Sequence, residues 1–362
     1  MSSVLKIIKE NANERKVPGI PGKKLNAPVR RRDWSESIGI EIELEGTGLP
    51  SGGYLDGVVS SSGSSWQAKA DGSLRNGVEY VLNKPCKDDE VDYLVRGLFD
   101  VFEKRGTRLT PSNRCSLHVH YNIGGLKVNT ITSILALWTV FEEPLLRIWG
   151  EARYRNHFCL SSKDEDGNVE AWADFLTRGR LPEGNNLRYT ALNIVAIRKY
   201  GSIEFRGGGA VTDPDRAISW ARFLYRLCEY AKEIYPNPQQ LAYDISERGA
   251  QAILRDVCGD EFERIYREAI ATVGEFDRCC ADSFYNFQPI IFGFPWNEWL
   301  PEIEKDYVPN PFEKEEKVKA TPAAPEVTWR HVPEPAVRQP LTRDEMDRIL
   351  RGADRLQAER ID

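Results

Sequence analysis

The sequence has no apolar run approaching the roughly 20 residues that a membrane-spanning helix needs. Its opening, MSSVLKIIKE, lacks the apolar stretch and small-residue cleavage site of a secretory leader. The expectation is a cytoplasmic protein. Positive charge is not in excess either. The net charge is −6 over 362 residues, so bulk attraction to nucleic acid is not expected. No CxxC pair occurs among the seven cysteines, and their number is odd. That argues against both a disulfide framework and a zinc ribbon. Reduced, mostly buried thiols suit a reducing compartment. Adjacent Cys279 and Cys280 read more simply as small side chains in a packed segment than as a redox pair. No internal repeat is visible. What is present is ordinary for a folded chain: 41% hydrophobic and 29% charged residues, enough for a substantial core.

Composition divides the chain into four parts. Residues 1–34 are polar and basic, with Lys23, Lys24 and the run Arg30-Arg31-Arg32, and are broken by Pro18, Pro21 and Pro28. They read as a flexible arm with at most a short helix near Val4 to Glu14. Contact with an acidic partner is the alternative use for such charge. Residues 35–300 carry the patterned body. Residues 301–340 are rich in charge and proline (Pro322, Pro325, Pro333, Pro335, Pro340), which marks a linker. In residues 341–362, Thr342 and Glu345 have capping-box spacing. Met346, Ile349, Leu350, Ala353 and Leu356 then recur at helical intervals. This predicts an amphipathic helix, either folded back on the body or used for docking or self-association.

Within the body, several segments alternate. Ile38, Ile40, Ile42 and Leu44 oppose Glu41, Glu43 and Glu45. Leu117, Val119 and Tyr121 oppose His118, His120 and Asn122. Val78, Tyr80 and Leu82 oppose Glu79, and Ile203 and Phe205 oppose Glu204 and Arg206. Strand side chains alternate between faces, so each segment has one apolar and one polar face. Short turns suit antiparallel pairing. Lys199-Tyr200-Gly201 is expected to close a hairpin between Thr190–Arg198 and Ser202–Arg206. Helical patterns cover Thr130 to Trp149, a stretch opened by Thr212-Asp213-Pro214-Asp215 with Thr212 as cap, and residues 250–270. The predicted class is α+β. Helices cover the apolar face of an antiparallel sheet, and the polar face opens to a cleft.

That polar face is over-supplied with acid. Glu41 and Glu43 lie ~7 Å apart on one side of one strand. If the other strands lie alongside, Asp71, Glu79, Glu204 and His118 join them. Grouped, uncompensated carboxylates cost several kcal/mol per buried charge, on the order expected for unpaired ions. Lysines and arginines would compensate, and so would divalent cations. An oxygen-rich set with an occasional imidazole suits Mg²⁺ or Mn²⁺. Each piece alone has a bland reading: a solvated ExE face, a paired His-x-His, a turn at Asp71-Gly72-Ser73. Their matched parity on four segments is what singles them out.

Four blocks together resemble the amidoligases, the phage and bacterial branch of the glutamine synthetase and glutamate–cysteine ligase superfamily. They are Gly39-Ile40-Glu41-Ile42-Glu43; Trp66 with Asp71-Gly72-Ser73 and Gly77-Val78-Glu79; Leu117-His118-Val119-His120; and Arg188 with Leu192-Asn193 and Ile203-Glu204-Phe205-Arg206. The resemblance spans about residues 38–225. It implies a sheet of that superfamily's type, a metal and ATP cleft, and ATP-dependent joining of a carboxylate to an amine. It implies Glu41, Glu43, Asp71, Glu79, His118 and Glu204 as ligands of Mg²⁺ or Mn²⁺. Asp71 stands where glutamine synthetase has glutamate. The resemblance also implies Arg206 at the γ-phosphate, Arg188 at phosphate or a substrate carboxylate, and His120 beside phosphate or orienting its neighbours.

Two other classes fit parts of the pattern. A metal-dependent hydrolase would use His118, His120 and the glutamates to activate water. A non-catalytic assembly protein would keep the fold and use the terminal helix. Gly207-Gly208-Gly209 reads as a turn or an anion-receiving loop before a helix. Ser60 to Ser65 reads as a loose connection or a lid. His157 and His331 are assigned structural or exposed positions.

Overall fold

A computed structural model describes residues 37–291, apart from 125, 163–170, 173–174, 177–185, 286 and 288–289. The arm, the linker, the terminal helix and His331 lie outside the described residues, as do the last nine residues of the expected body. The described chain is α+β, with helices packed on an antiparallel sheet. Among the described residues, no helix is long and apolar enough to cross a membrane.

The strands are β1 (Ile38–Thr47), β2 (Gly53–Val59), β3 (Ser65–Lys69), β4 (Gly77–Leu82), β5 (Arg108–Leu109), β6 (Leu117–Asn122), β7 (Leu192–Asn193) and β8 (Ser202–Gly208). They form an eight-stranded sheet in the order β2-β3-β4-β1-β6-β8-β7, with β5 paired to the far end of β1. Every pairing between strands is antiparallel. The period-two patterns hold. Ile40, Ile42, Tyr80, Leu117, Val119, Ile203 and Phe205 are buried on one face.

Three helices cover that face. Helix α1 (Val91–Lys104) packs on β2 and β3. The Trp66 indole donates to the Leu94 carbonyl at 2.7 Å, and Tyr80 lies against Phe102 with ring centres 5.0 Å apart. Helix α2 (Val128–Arg147) is buried on all sides from Val128 to Leu146, as an all-round apolar helix must be. Its Trp138 meets Phe205 edge-on at 5.0 Å. The buried Glu142 of α2 is satisfied by Trp138 Nε1 at 3.0 Å and by the Ser162 backbone N–H and hydroxyl at 2.7 and 2.5 Å. A short helix, α3 (Glu151–Tyr154), follows α2. Helix α4 (Ala196–Tyr200) joins β7 to β8. Helix α5 (Pro214–Ile234) packs on β6 and β1. Four more helices, α6 (Pro238–Arg248), α7 (Ala250–Cys258), α8 (Glu263–Ala271) and α9 (Phe276–Tyr285), enclose α2 or α5 from outside.

Five local expectations are corrected. The strand pairing β7 with β8 is present, but the connection is a turn of helix rather than a tight hairpin. Asn193 Oδ1 accepts from Val195 N–H at 2.8 Å and turns the chain, and Gly201, at φ 67°, ends α4. The single helix expected over 250–270 is two, because Gly259 at φ 53° breaks it. The cap of α5 is Asp213, whose carboxylate accepts from Asp215 N–H at 3.0 Å, not Thr212. Gly207 and Gly208 are not a flexible loop but the end of β8, in close packing. A β-carbon on Gly207 would stand 2.7 Å from Leu146, and one on Gly208 would stand 2.5 Å from the Leu117 carbonyl.

The serine segment is the fifth. It is an ordered turn clamped by Glu90. The Glu90 carboxylate accepts from Ser61 Oγ at 2.6 Å, Ser62 N–H at 2.7 Å, Ser62 Oγ at 2.7 Å and Lys87 N–H at 3.1 Å. Burial opposes the charge, but these donors outweigh it and draw the carboxyl down to about 2. A carboxyl depressed in the folded state stabilises above its ordinary value of 4.5 and loses that contribution as pH falls through about 2. Glu90→Gln is therefore expected to cost about 2 kcal/mol at pH 7, after allowing for water at the rim. The gap to wild type should close between pH 4.5 and 2, as followed by denaturant titration.

Candidate functional site

The polar face of the sheet gathers the charged side chains, and strand register decides which of them meet. Glu41 pairs across β1–β6 with His118, and His120 pairs across β6–β8 with Glu204. Glu43 pairs across β1–β4 with Glu79, placing like charges directly opposite. The extra residue of a bulge falls in β8 between Phe205 and Gly208, at Arg206 and Gly207. Bulges re-aim side chains and recur beside active sites.

Two groups of possible ligand atoms result, each with its members within 4.8 Å of one another. One is Glu41, His120 and Glu204. The other is Glu43, Asp71 and Glu79. Five of the six expected ligands thus fall into the two groups, and His120 is the sixth member. His118 belongs to neither group but lies against the same carboxylates. Its Nδ1 sits 3.4 Å from both Glu41 Oε2 and Glu204 Oε1, and its Nε2 lies 2.8 Å from Ser116 Oγ. His120 converges as well: its Nε2 is 3.4 Å from Glu41 Oε1 without hydrogen-bond geometry. Its Nδ1 is held 3.1 Å from Ser202 Oγ. This leaves a buried Nε2 with its lone pair or proton directed at carboxylates and no hydrogen bond made, as a ligand atom would be.

Partners fix the remaining groups. Glu204, buried in β8, accepts from Asn193 Nδ2 at 2.6 Å and from Arg206 at 2.5 Å. Glu43 accepts from the Ser116 hydroxyl. Asp71 opens a tight turn in which its Oδ1 accepts from Ser73 N–H at 2.6 Å. Burial alone would raise the Glu41 carboxyl, but contacts with His118 and His120 hold it well below the usual range. Burial is likewise outweighed at Glu204, chiefly by the charge of Arg206, and its carboxyl is lowered. At His120, burial is outweighed by Glu41 and then Glu204, and the imidazole is raised. The second group has no such relief. Burial, then the charge of Glu41, raises Glu79 to about 7, with Glu43 and Asp71 adding to it against Lys69.

Two clefts flank this row. The larger, about 820 Å³, touches Glu41 and His120 and is walled by Tyr54, Gln67, Lys69, Asn83 and Tyr200. The smaller, about 580 Å³, touches Glu43, Asp71 and His118 and holds four arginines: Arg114, Arg153, Arg188 and Arg206. Arg188 enters it from the turn at Asn186–Tyr189. It lies 4.6 Å over the Tyr189 ring and makes no carboxylate contact among the described residues. Sequence reasoning missed Arg114, Arg153 and Ser116, and gave Asn193 no role beyond its motif. Ser116 was legible, since it shares the parity of His118 and His120 one step earlier. Arg153 lies on the short helix α3 and carried no pattern.

No known family model matches the chain, and no curated protein matches it.

Proposed function

We propose that the chain is an ATP-dependent carboxylate–amine ligase of the glutamine synthetase and glutamate–cysteine ligase type. The observation that supports it most is the pair of acidic groups, Glu41/His120/Glu204 and Glu43/Asp71/Glu79, side by side on one sheet face next to Arg206. Five carboxylates and one imidazole are a hard, oxygen-rich donor set, suited to Mg²⁺ or Mn²⁺ rather than to a zinc hydrolase. The repulsion felt by Glu79 fits a site built for a cation, as does the Nε2 of His120, 3.4 Å from Glu41 with no hydrogen bond made. When bound, such ions neutralise phosphate oxygens and hold them in line for transfer.

The chain's own groups supply the rest. The larger cleft offers Tyr54 and Tyr200 as aromatic walls for a base, with Lys69 near the carboxylate row. Its nucleotide would extend its phosphates toward that row. The acid lies in the smaller cleft. Its carboxylate oxygen attacks the γ-phosphorus, the bond to the β-phosphate oxygen breaks, and ADP departs. Arg206, steadied by Glu204, spreads charge from the transferring group through its planar fork of donors. The amine nitrogen then attacks the acyl carbon, phosphate leaves with the bonding pair, and the nitrogen releases a proton to water. Exclusion of water around the bound substrates would limit hydrolysis of the acyl phosphate.

The expected result with purified protein, ATP and Mg²⁺ is phosphate release that requires both an acid and an amine. Calorimetry should show nucleotide binding that needs the divalent ion. Absence of any nucleotide binding with Mg²⁺ or Mn²⁺ present would remove this reading.

A further inference from the structure

Ser116 carries a hydroxyl that the ligase chemistry does not use. It immediately precedes β6, and its carbonyl accepts from Glu43 N–H at 2.8 Å, which fixes its backbone at the end of the β1–β6 pairing. It is 2% exposed, yet it lines the smaller cleft with Glu43, His118 and Arg206. Its hydroxyl has one proton and faces two bases. One is a Glu43 carboxylate oxygen, and the other is His118 Nε2 at 2.8 Å. The hydroxyl donates to only one of them at a time.

The far nitrogen of the same ring faces acid. His118 Nδ1 lies 3.4 Å from Glu41 Oε2, with hydrogen-bond geometry, and 3.4 Å from Glu204 Oε1. His118 is in neither group of convergent ligand atoms, which leaves its Nε2 to the hydroxyl. Strand parity explains why Ser116 and His118 share a face. It does not explain a ring that meets the hydroxyl two residues away with one nitrogen and a carboxylate with the other. The sequence hydroxyl, imidazole, carboxylate is the one in which acid orients the ring, the ring takes the proton, and the oxygen becomes a nucleophile.

We propose that Ser116 is a nucleophile, activated by His118 and oriented through Glu41, and that the chain carries an acyl-transfer activity needing neither nucleotide nor metal. This goes beyond the ligase reading and does not rest on it. The substrate class is an activated carboxylic ester, whose leaving group departs as an aryl oxide or thiolate. Ser116 Oγ attacks the acyl carbon, and its proton passes to His118 Nε2. Negative charge gathers on the carbonyl oxygen, and the N–H groups of Arg206 and Asn113 in the same lining are its donors. The bond to the leaving group breaks, and the leaving group takes the electron pair. Water or an amine then attacks the acyl-serine and releases a proton to solvent. Ser116 leaves with the bonding pair and recovers its proton from His118.

The test uses the full chain in chelator, without nucleotide, with an alkyl fluorophosphonate and with p-nitrophenyl acetate. The expected result is a phosphonate adduct mapped to Ser116 by peptide mass spectrometry, and a burst of p-nitrophenolate matched by acetyl-Ser116. Ser116→Ala should abolish the burst. His118→Gln should slow phosphonate labelling at least about a hundredfold, the loss expected on removing a general base. Labelling confined to other residues overturns the proposal, and so does an unchanged rate at Ser116 in His118→Gln. Fluorophosphonates pass over unactivated serines, so the wild-type map decides if a variant fails to fold: an adduct at Ser116 in the folded chain, absent after denaturation, upholds the proposal, and no adduct there overturns it. Neither ATP nor metal is present. Failure here therefore leaves the ligase reading standing, and failure of nucleotide binding leaves this result intact.

Discussion

Arg206→Lys is expected to slow ATP-dependent phosphate release by about two to three orders of magnitude, the loss seen when one well-placed donor to developing charge is removed. The substitution keeps the positive charge beside Glu204, so the fold should survive. What it removes is the planar fork. One arm of Arg206 is occupied by Glu204 at 2.5 Å, and the Nε lies 3.5 Å from the Phe158 carbonyl. A lysine would satisfy Glu204 with its single ammonium and have no second donor at a fixed angle for the phosphoryl group. Position matters as much as charge. Arg206 sits at the β8 bulge, backed by Gly207 and Gly208, where no β-carbon fits without displacing Leu146 or the Leu117 carbonyl. Steady-state phosphate release and calorimetric Mn²⁺ binding, measured together, check this. Metal affinity should stay within about threefold of wild type. If the variant keeps more than a tenth of wild-type activity, Arg206 has no role at the transferring group.

The faces of the strands were legible because a period of two needs only the identities of neighbours. Glu41, Glu43, Glu79, His118, His120 and Glu204 all declared their side of the sheet in this way. Register was not legible, because it depends on which strands pair and on bulges. It was register that set Glu43 against Glu79, Glu41 against His118 and His120 against Glu204. Asp71 was placed by a turn whose geometry came from its own side chain. The hairpin expected before β8 failed because Asn193 and Gly201 supply turn chemistry at both ends of a five-residue helix, a local effect that outweighs strand propensity. Arg153 was invisible. Its place in the cleft wall comes from burial, and burial is a property of the packed chain. Ser60 to Ser65 looked loose in sequence for the same reason, since Glu90 clamps it from 28 or more positions away.

Glu79→Gln is expected to reverse its rank against wild type when a divalent cation is added. In chelator the acidic group around Glu79 repels itself, because Glu43 lies directly opposite and Asp71 is within 4.8 Å. Burial, then the charge of Glu41, holds the Glu79 carboxyl near 7 instead of 4.5. A carboxyl raised in the folded state contributes fully below its unfolded value and loses that contribution as pH rises through the folded one. The metal-free protein should therefore lose stability between pH 4.5 and somewhat above 7. With solvent screening the loss is about 2 kcal/mol. Glutamine has no proton to lose. In chelator at pH 8 the variant should be more stable than wild type by about that amount, and the difference should vanish below pH 4.5. A bound cation changes the balance, since ligand at a hundred times its dissociation constant adds about 2.7 kcal/mol to wild type. The variant, with one charge fewer around the ion, should gain much less and fall below wild type in Mn²⁺. Denaturant titrations in chelator and in Mn²⁺, run from pH 4 to 9, read both signs. A variant less stable than wild type in chelator at pH 8 would mean that Lys69, across the strand pair from Glu79, already neutralises the group. The acidic row would then need no metal to account for it.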